Sequence, residues 1–382
     1  MSNQKPEQKP NQESIHVRQP TAMLSDLTSE LLWPRILRAP SLALSPSRLF
    51  AGAICAFLMS VVVHLASWAA GSSSAQADGQ SADTMEQMGN RVAMSFGRII
   101  DAVLSLDAQL LMARVWELAI VLRTMVFESP VLAISIGLPM VVLLAGFGGA
   151  ISRSTAIEFS QGRYATREDT FGFALRRIGQ FIGAVIGPVV GCAIVFLIIA
   201  IGGLLLSVPV FDVIGSLAYG VALIIGGLAT IVLLLHIVAL PMIVPALAVE
   251  GTDSFDAIQR SYAYVIGKPL RYMLFSLILL LVGVLAMSVF TIVANGTMEM
   301  TYWAASMFAN DSTQRVLSGE GELGATKNTA HQIIAFWHTL VQLGIAGYAI
   351  SLFFTSSTLL YLVTRRVCDG QDINEVWNGI GE

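Results

Sequence analysis

Charge is what this chain has least of. Only 13% of its residues are charged, against about a quarter in a soluble domain, which is too little to solvate the surface of a 382-residue globule. Cysteine is nearly missing too. Cys55, Cys192 and Cys368 have no short spacing, so they form neither a disulfide framework nor a zinc pattern and read as small buried hydrophobes. The basic residues are dispersed and the net charge is −4, which excludes the basic stripe of a nucleic-acid binder. Walker-type glycine loops, HExxH and GxSxG are absent, as are paired aspartates or a serine-lysine arrangement inside the apolar segments. No cofactor or metal is called for, and enzymatic activity is disfavoured.

What is abundant is apolar length. The mean hydropathy is +0.70, and from Ile178 to Val249 the chain runs 72 residues with one formal charge, Asp212, and one histidine, His236. About 20 apolar residues cross a bilayer as a helix, so this run is too long for one crossing. Val208 to Asp212 is the only turn signal near its middle. The run therefore reads as a hairpin with both legs in the membrane.

The fold class that follows is all-α, a polytopic helical membrane protein with spans at about 49–70, 130–151, 178–207, 214–248, 272–294 and 333–363. Residues 1–30 read as a disordered tail, and Leu31–Arg38 as a short interfacial segment. A signal peptide cleaved near Ala75-Gln76-Ala77 is the rival reading of the first span. Its basic lead-in of nearly 50 residues and long apolar run favour an uncleaved span. Residues 91–127 suit a surface-lying amphipathic helix, and Tyr302, Trp303 and Phe308 are interface anchors of the 296–331 loop.

Lysine and arginine set the orientation. With the N-terminus inside, sixteen of the 22 basic residues lie in cytoplasmic pieces, and the loop at 208–213 opposite has none. Both termini are then cytoplasmic, including a tail at 365–382, in an inner (plasma) membrane.

Three segments on that side share a helix-start spacing, an N-cap residue three positions before an acid: Thr166 with Asp169, Asp253 with Asp256, and Asp372 with Glu375. Two follow an acid-glycine pair, Glu250-Gly251 and Asp369-Gly370. The amphipathic stretches after the first two caps place Arg176, Arg177, Arg260, Lys268 and Arg271 where anionic lipid attracts them. From Pro245 to Lys268 the sequence PALAVEGTDSFDAIQRSYAYVIGK resembles a loop signature of bacterial polytopic proteins. These include the membrane domain attached to some glycerophosphoryl diester phosphodiesterases. The resemblance implies a helical membrane module of unassigned biochemical role. No segment here is long and polar enough to be the phosphodiesterase domain, so that activity does not carry over.

Inside the spans the ionisable side chains are His64, His236 and His338. His64 and His338 sit at one depth, roughly 8–9 Å below the outer boundary at 1.5 Å rise per residue, and can pair; His236 lies at another level. Each histidine is also well served by a local hydrogen bond, which is the commoner arrangement. Gly183, Gly187 and Gly191, four residues apart, form a face for close helix packing. Pro188 within it, and Pro241 and Pro245 after His236, are points of kinking. The function these features favour is a structural or accessory module that contacts membrane lipid and partner proteins or further copies of itself. A transporter or channel for a small or apolar solute is the alternative, and an intramembrane enzyme the third reading.

Overall fold

The computed structural model describes residues 33–73, 130–204, 211–319 and 324–377, with scattered positions between 95 and 123. The proposed cleavage site, the linker at 71–90 beyond Ser73, the tail at 1–30 and the turn before Phe211 lie outside the described residues. Two short helices, α1 (Trp33–Ile36) and α2 (Ala39–Ala43), precede the first long one, α3 (Pro46–Ser73). Then come α4 (Pro130–Gln161), a π turn (Glu168–Gly172), α5 (Phe173–Arg176), α6 (Ile178–Gly203) and α7 (Phe211–Glu250). The chain continues through α8 (Ser254–Gly267), α9 (Pro269–Ser306), α10 (Asp311–Ser318) and α11 (Ala325–Asp369). No strand occurs among the described residues.

Six of these helices, α3, α4, α6, α7, α9 and α11, are long and apolar enough to cross a membrane. The chain is thus an all-α, multi-pass membrane protein. Several run past the apolar stretches that announce them: α4 continues to Gln161, α9 to Ser306, and α11 begins at Ala325. Main-chain hydrogen bonds do not stop where hydropathy falls, and the polar residues of these extensions find partners or water. Between 91 and 127 every described position except Asp107 is helical. Arg98 and Arg114 both pair with Glu117 there, the second at 2.8 Å.

The helices alternate, so three starts (α3, α6, α9) and three ends (α4, α7, α11) share one end of the bundle. That end carries the core. Ile151 and Ile157 of α4, Phe181 of α6, Met242 to Val249 of α7 and Leu359 to Val363 of α11 are all buried there. A second small cluster joins Ala43, Tyr348 and Leu352. Toward the far end α6 and α7 touch mainly each other and present Leu197, Ile201, Leu217, Ile224 and Ile231 outward, the surface a bilayer covers.

Glycine decides where helices approach most closely. A Cβ on Gly52 of α3 would stand 2.2 Å from the carbonyl oxygen of Gly347 in α11, and one on Gly347 would stand 2.5 Å from the nitrogen of Ala53. Backbone meets backbone at this crossing. Rings use Gly148 and Gly149 of α4 in the same way: Phe354 fills the space over the first and Phe181 the space over the second. The expected packing face of Gly183, Gly187 and Gly191 is a correction within this chain. Only Gly183 has a neighbour, the Ser254 hydroxyl, while Gly187 and Gly191 are open. Gly191 lies seven residues on from Ala184 and so on nearly the same face, but at that level nothing stands within 4 Å of a Cβ. There α6 meets α7 through Cys192 instead, its thiol 3.4 Å from Ala229 O.

Candidate functional site

The end at which α4, α7 and α11 terminate gathers most of the polar contacts between different elements. All three helices stop the same way. Gly162, Gly251 and Gly370 adopt φ of 65°, 63° and 68°, a left-handed conformation that side chains with a Cβ resist. Their N–H groups donate back to the carbonyls of Glu158, Leu247 and Arg366 at 2.9–3.1 Å.

The expected helix starts that follow have two different outcomes. Thr166 and Asp169 form a reciprocal box, each accepting the other's backbone N–H at 3.2 Å, and the π turn begins next. Asp253 accepts the N–H of Asp256 at 2.9 Å and starts α8. The Asp372 carboxylate accepts the nearby N–H of Asn374, at 3.2 Å, and no helix follows among the described residues. The Asp372 carbonyl accepts the Glu375 N–H at 3.1 Å in a single turn. It also accepts the Arg365 guanidinium at 2.9 Å, which reaches the Glu375 carbonyl at 2.6 Å as well.

Arg365 is 2% exposed and also donates to Glu250 at 2.6 Å. The same carboxylate accepts the Tyr361 hydroxyl at 3.0 Å, and its other oxygen faces Arg260 at 3.9 Å. One carboxylate at the end of α7 thereby joins α11, α8 and the tail. Tyr264 donates to Asp369. Burial, with that carboxylate second, holds its phenol well above its ordinary pKa, so it stays a donor across the physiological range.

Residues 370–377 are not a loose tail. The Trp377 N–H donates to Val249 O at 3.0 Å, and its carbonyl accepts from Arg153. Arg153, 5% exposed, also donates to Ala248 O at 2.9 Å. Its guanidinium lies 4.9 Å from the Phe173 ring and 5.7 Å from that of Trp377. Arg177 does likewise at 5.5 and 4.9 Å, while donating to the carbonyls of Gly251 and Thr252. Two cations bracket two rings, which stabilises a desolvated guanidinium through the ring faces. On the opposite flank Arg48, 1% exposed, donates to Leu42 O and pairs with Glu158 at 2.9 Å.

The basic residues expected to face lipid thus divide. Arg176, Lys268 and Arg271 are exposed as anticipated. Arg177 is half-buried, its Nη1 donating to the backbone carbonyls of Gly251 and Thr252 rather than standing free for lipid. Arg260 is half-buried between Asp256, at 3.2 Å, and Glu250. Arg48, Arg153 and Arg365 were not singled out by sequence reasoning, which sorts arginines by side of the membrane and says nothing of depth.

His236 bridges three helices. Nε2 lies 2.9 Å from Val185 O, and Nδ1 lies 2.9 Å from the Tyr262 hydroxyl. A carbonyl can only accept, so the proton is on Nε2 and Nδ1 accepts from Tyr262. Burial pushes that phenol up to about 12, which keeps it a donor. Tyr262→Phe should lower stability by about 1–3 kcal/mol, the cost of an unsatisfied buried acceptor, read as a fall in melting temperature in detergent; no fall would mean water replaces the hydroxyl. His338 lines a far-end cavity of about 450 Å³ with Thr301, Tyr302 and Trp337; His64 is not among its lining residues. No group of three or more histidine, cysteine, aspartate and glutamate side chains is placed to hold a metal among the described residues. No family model, no curated protein and no solved structure matches the chain.

Proposed function

We propose that this chain is a structural or accessory module of a bacterial inner membrane, with both termini and the arginine-rich end in the cytoplasm. It holds lipid, and partner proteins or further copies of itself, against that end. The reading is continuous with the resemblance of Pro245–Lys268 to loops of bacterial polytopic modules. One observation carries it. At the capped end the guanidiniums of Arg48, Arg153 and Arg365 are held by carboxylates and backbone carbonyls, and the cavity between α7, α9 and α11 has apolar walls. That cavity, of about 420 Å³ between Pro241, Tyr272, Leu279, Met287 and Leu352, offers only hydroxyls such as Ser276 and Ser357. A carrier of polar solutes needs convergent polar groups near the midplane, so the transporter reading survives only for an apolar solute, with Pro241 beside its cavity.

Arg176, Lys268 and Arg271 form the exposed basic set that would meet anionic headgroups, at roughly 1 kcal/mol for each residue near the surface. Reversing all three to glutamate should lower the anionic phospholipid co-purifying with the full chain in mild detergent, as counted by lipid mass spectrometry. Proteoliposomes should show no saturable solute flux. Unchanged lipid content together with such flux would sink the module reading in favour of a transporter.

A further inference from the structure

A cleft of about 440 Å³ opens beside α3, α4 and the π turn. It has two chemistries along its length. At the capped end it is lined by Ser47, Arg48, Ser154, Arg167 and Thr170. Farther along, the walls become Phe50, Ala51 and Ile54 on α3, and Phe147, Ala150 and Ile151 on α4. From Ser47 to Ile54 and from Ser154 to Phe147 the register is the same, seven residues, or about 10 Å at 1.5 Å rise. A polar mouth therefore leads into an apolar channel that follows two membrane-crossing helices toward the membrane interior.

The polar mouth is built for an anion. Arg48 is fixed by Leu42 O and Glu158, and among the described residues its Nη1 is held by Ser154 alone, at 3.4 Å. Glu158 neutralises Arg48, so the net positive charge comes from Arg167. Its neighbouring acids are directed elsewhere: Asp169 pairs with Arg163 at 3.1 Å, and Glu168 faces Arg176 at 4.0 Å. No described acid pairs with Arg167. The π turn begins at the next residue, and Thr170 within it returns its hydroxyl proton to the carbonyls of Thr166 and Arg167. Turns of this kind recur at functional sites, and this one shapes the rim.

We infer that this cleft binds one anionic phospholipid, its phosphate between Arg167 and the Nη1 of Arg48 and the upper part of an acyl chain along Phe50, Ile54 and Phe147. A guanidinium matches phosphate geometry with paired donors, and the 10 Å apolar wall selects a lipid over a free phosphate. This rests on the lipid-contacting reading above but names a site apart from the exposed set of Arg176, Lys268 and Arg271.

The test uses the full chain in detergent, titrated with a short-chain fluorescent phosphatidylglycerol. Phosphatidylcholine of the same chain length and inorganic phosphate serve as competitors. The wild type should prefer phosphatidylglycerol, and millimolar phosphate should displace little of it. Arg167→Gln, at an exposed position, should weaken phosphatidylglycerol binding about tenfold, the scale of one charge-assisted contact. Ile54→Trp, which fills the channel, should weaken it while leaving Arg167 in place. Unchanged binding in both variants, no headgroup preference, or displacement by phosphate alone would each overturn the cleft. If neutralising Arg176, Lys268 and Arg271 weakens binding while Arg167→Gln does not, the cleft falls and the broader lipid reading stands.

Discussion

Gly347→Val should leave little folded protein at temperatures where a Gly187→Val variant remains intact. The bulk added is the same, and the surroundings differ. A Cβ at Gly347 would stand 2.5 Å from the Ala53 nitrogen and 2.7 Å from its Cα, so the obstacle is backbone and cannot rotate aside. Helices α3 and α11 would have to separate, and with them the packing of Leu49 against the cluster of Ala43, Tyr348 and Leu352. Overpacking against movable side chains costs about 1–3 kcal/mol, and a main-chain collision lies at or above the upper end. At Gly187 nothing stands within 4 Å, so the change is limited to helix propensity, below about 1 kcal/mol. Thermal unfolding of both variants in the same detergent is the measurement. Equal melting temperatures would show that the α3–α11 crossing is looser than described.

Breaking the Glu250 junction should have the second large effect. Arg365→Met removes the 2.6 Å partner of a carboxylate that is only 15% exposed, leaving it the Tyr361 hydroxyl and the more distant Arg260 at 3.9 Å. The cost approaches that of a broken buried pair, about 3–5 kcal/mol. Glu250→Gln alone should also destabilise, because Arg365 then keeps its charge without its acid. The double variant should lose clearly less than the sum, since neither charge remains; coupled neighbours deviate from additivity by about 0.5–3 kcal/mol. A second readout separates the two arms of Arg365. Its Nη2 donates to the carbonyls of Asp372 and Glu375, so Arg365→Met should open residues 370–377 to protease more than Glu250→Gln does. Additive losses, or a tail equally protected in both, would mean that the junction does not act as one unit.

Particular residues mark how far the sequence could be read. Pattern alone determined that six helices cross a membrane, because the count of apolar residues in a row is a property of the chain and a bilayer demands about 20 of them. The capping spacing at Thr166 and Asp253 was equally legible, since those contacts lie within a few residues of each other. The same spacing at Asp372 gave a single turn, the Glu375 N–H on the Asp372 carbonyl at 3.1 Å, because Arg365 draws on the carbonyls of Asp372 and Glu375 and the backbone of Trp377 is held by α4 and α7. The glycine stripe of α6 failed for a related reason. Spacing tells which residues share a face, while only the bundle decides at which level a neighbour covers it, and at Gly187 and Gly191 none does. Depth was the other hidden quantity. Arg48, Arg153 and Arg365 resemble any basic residue near a span end until partners 95 to 224 positions away in the chain draw them in. The sequence by itself determined the solvent this protein was made for; the tertiary structure decided which end is solid, because long-range hydrogen bonds and backbone crossings leave no local trace.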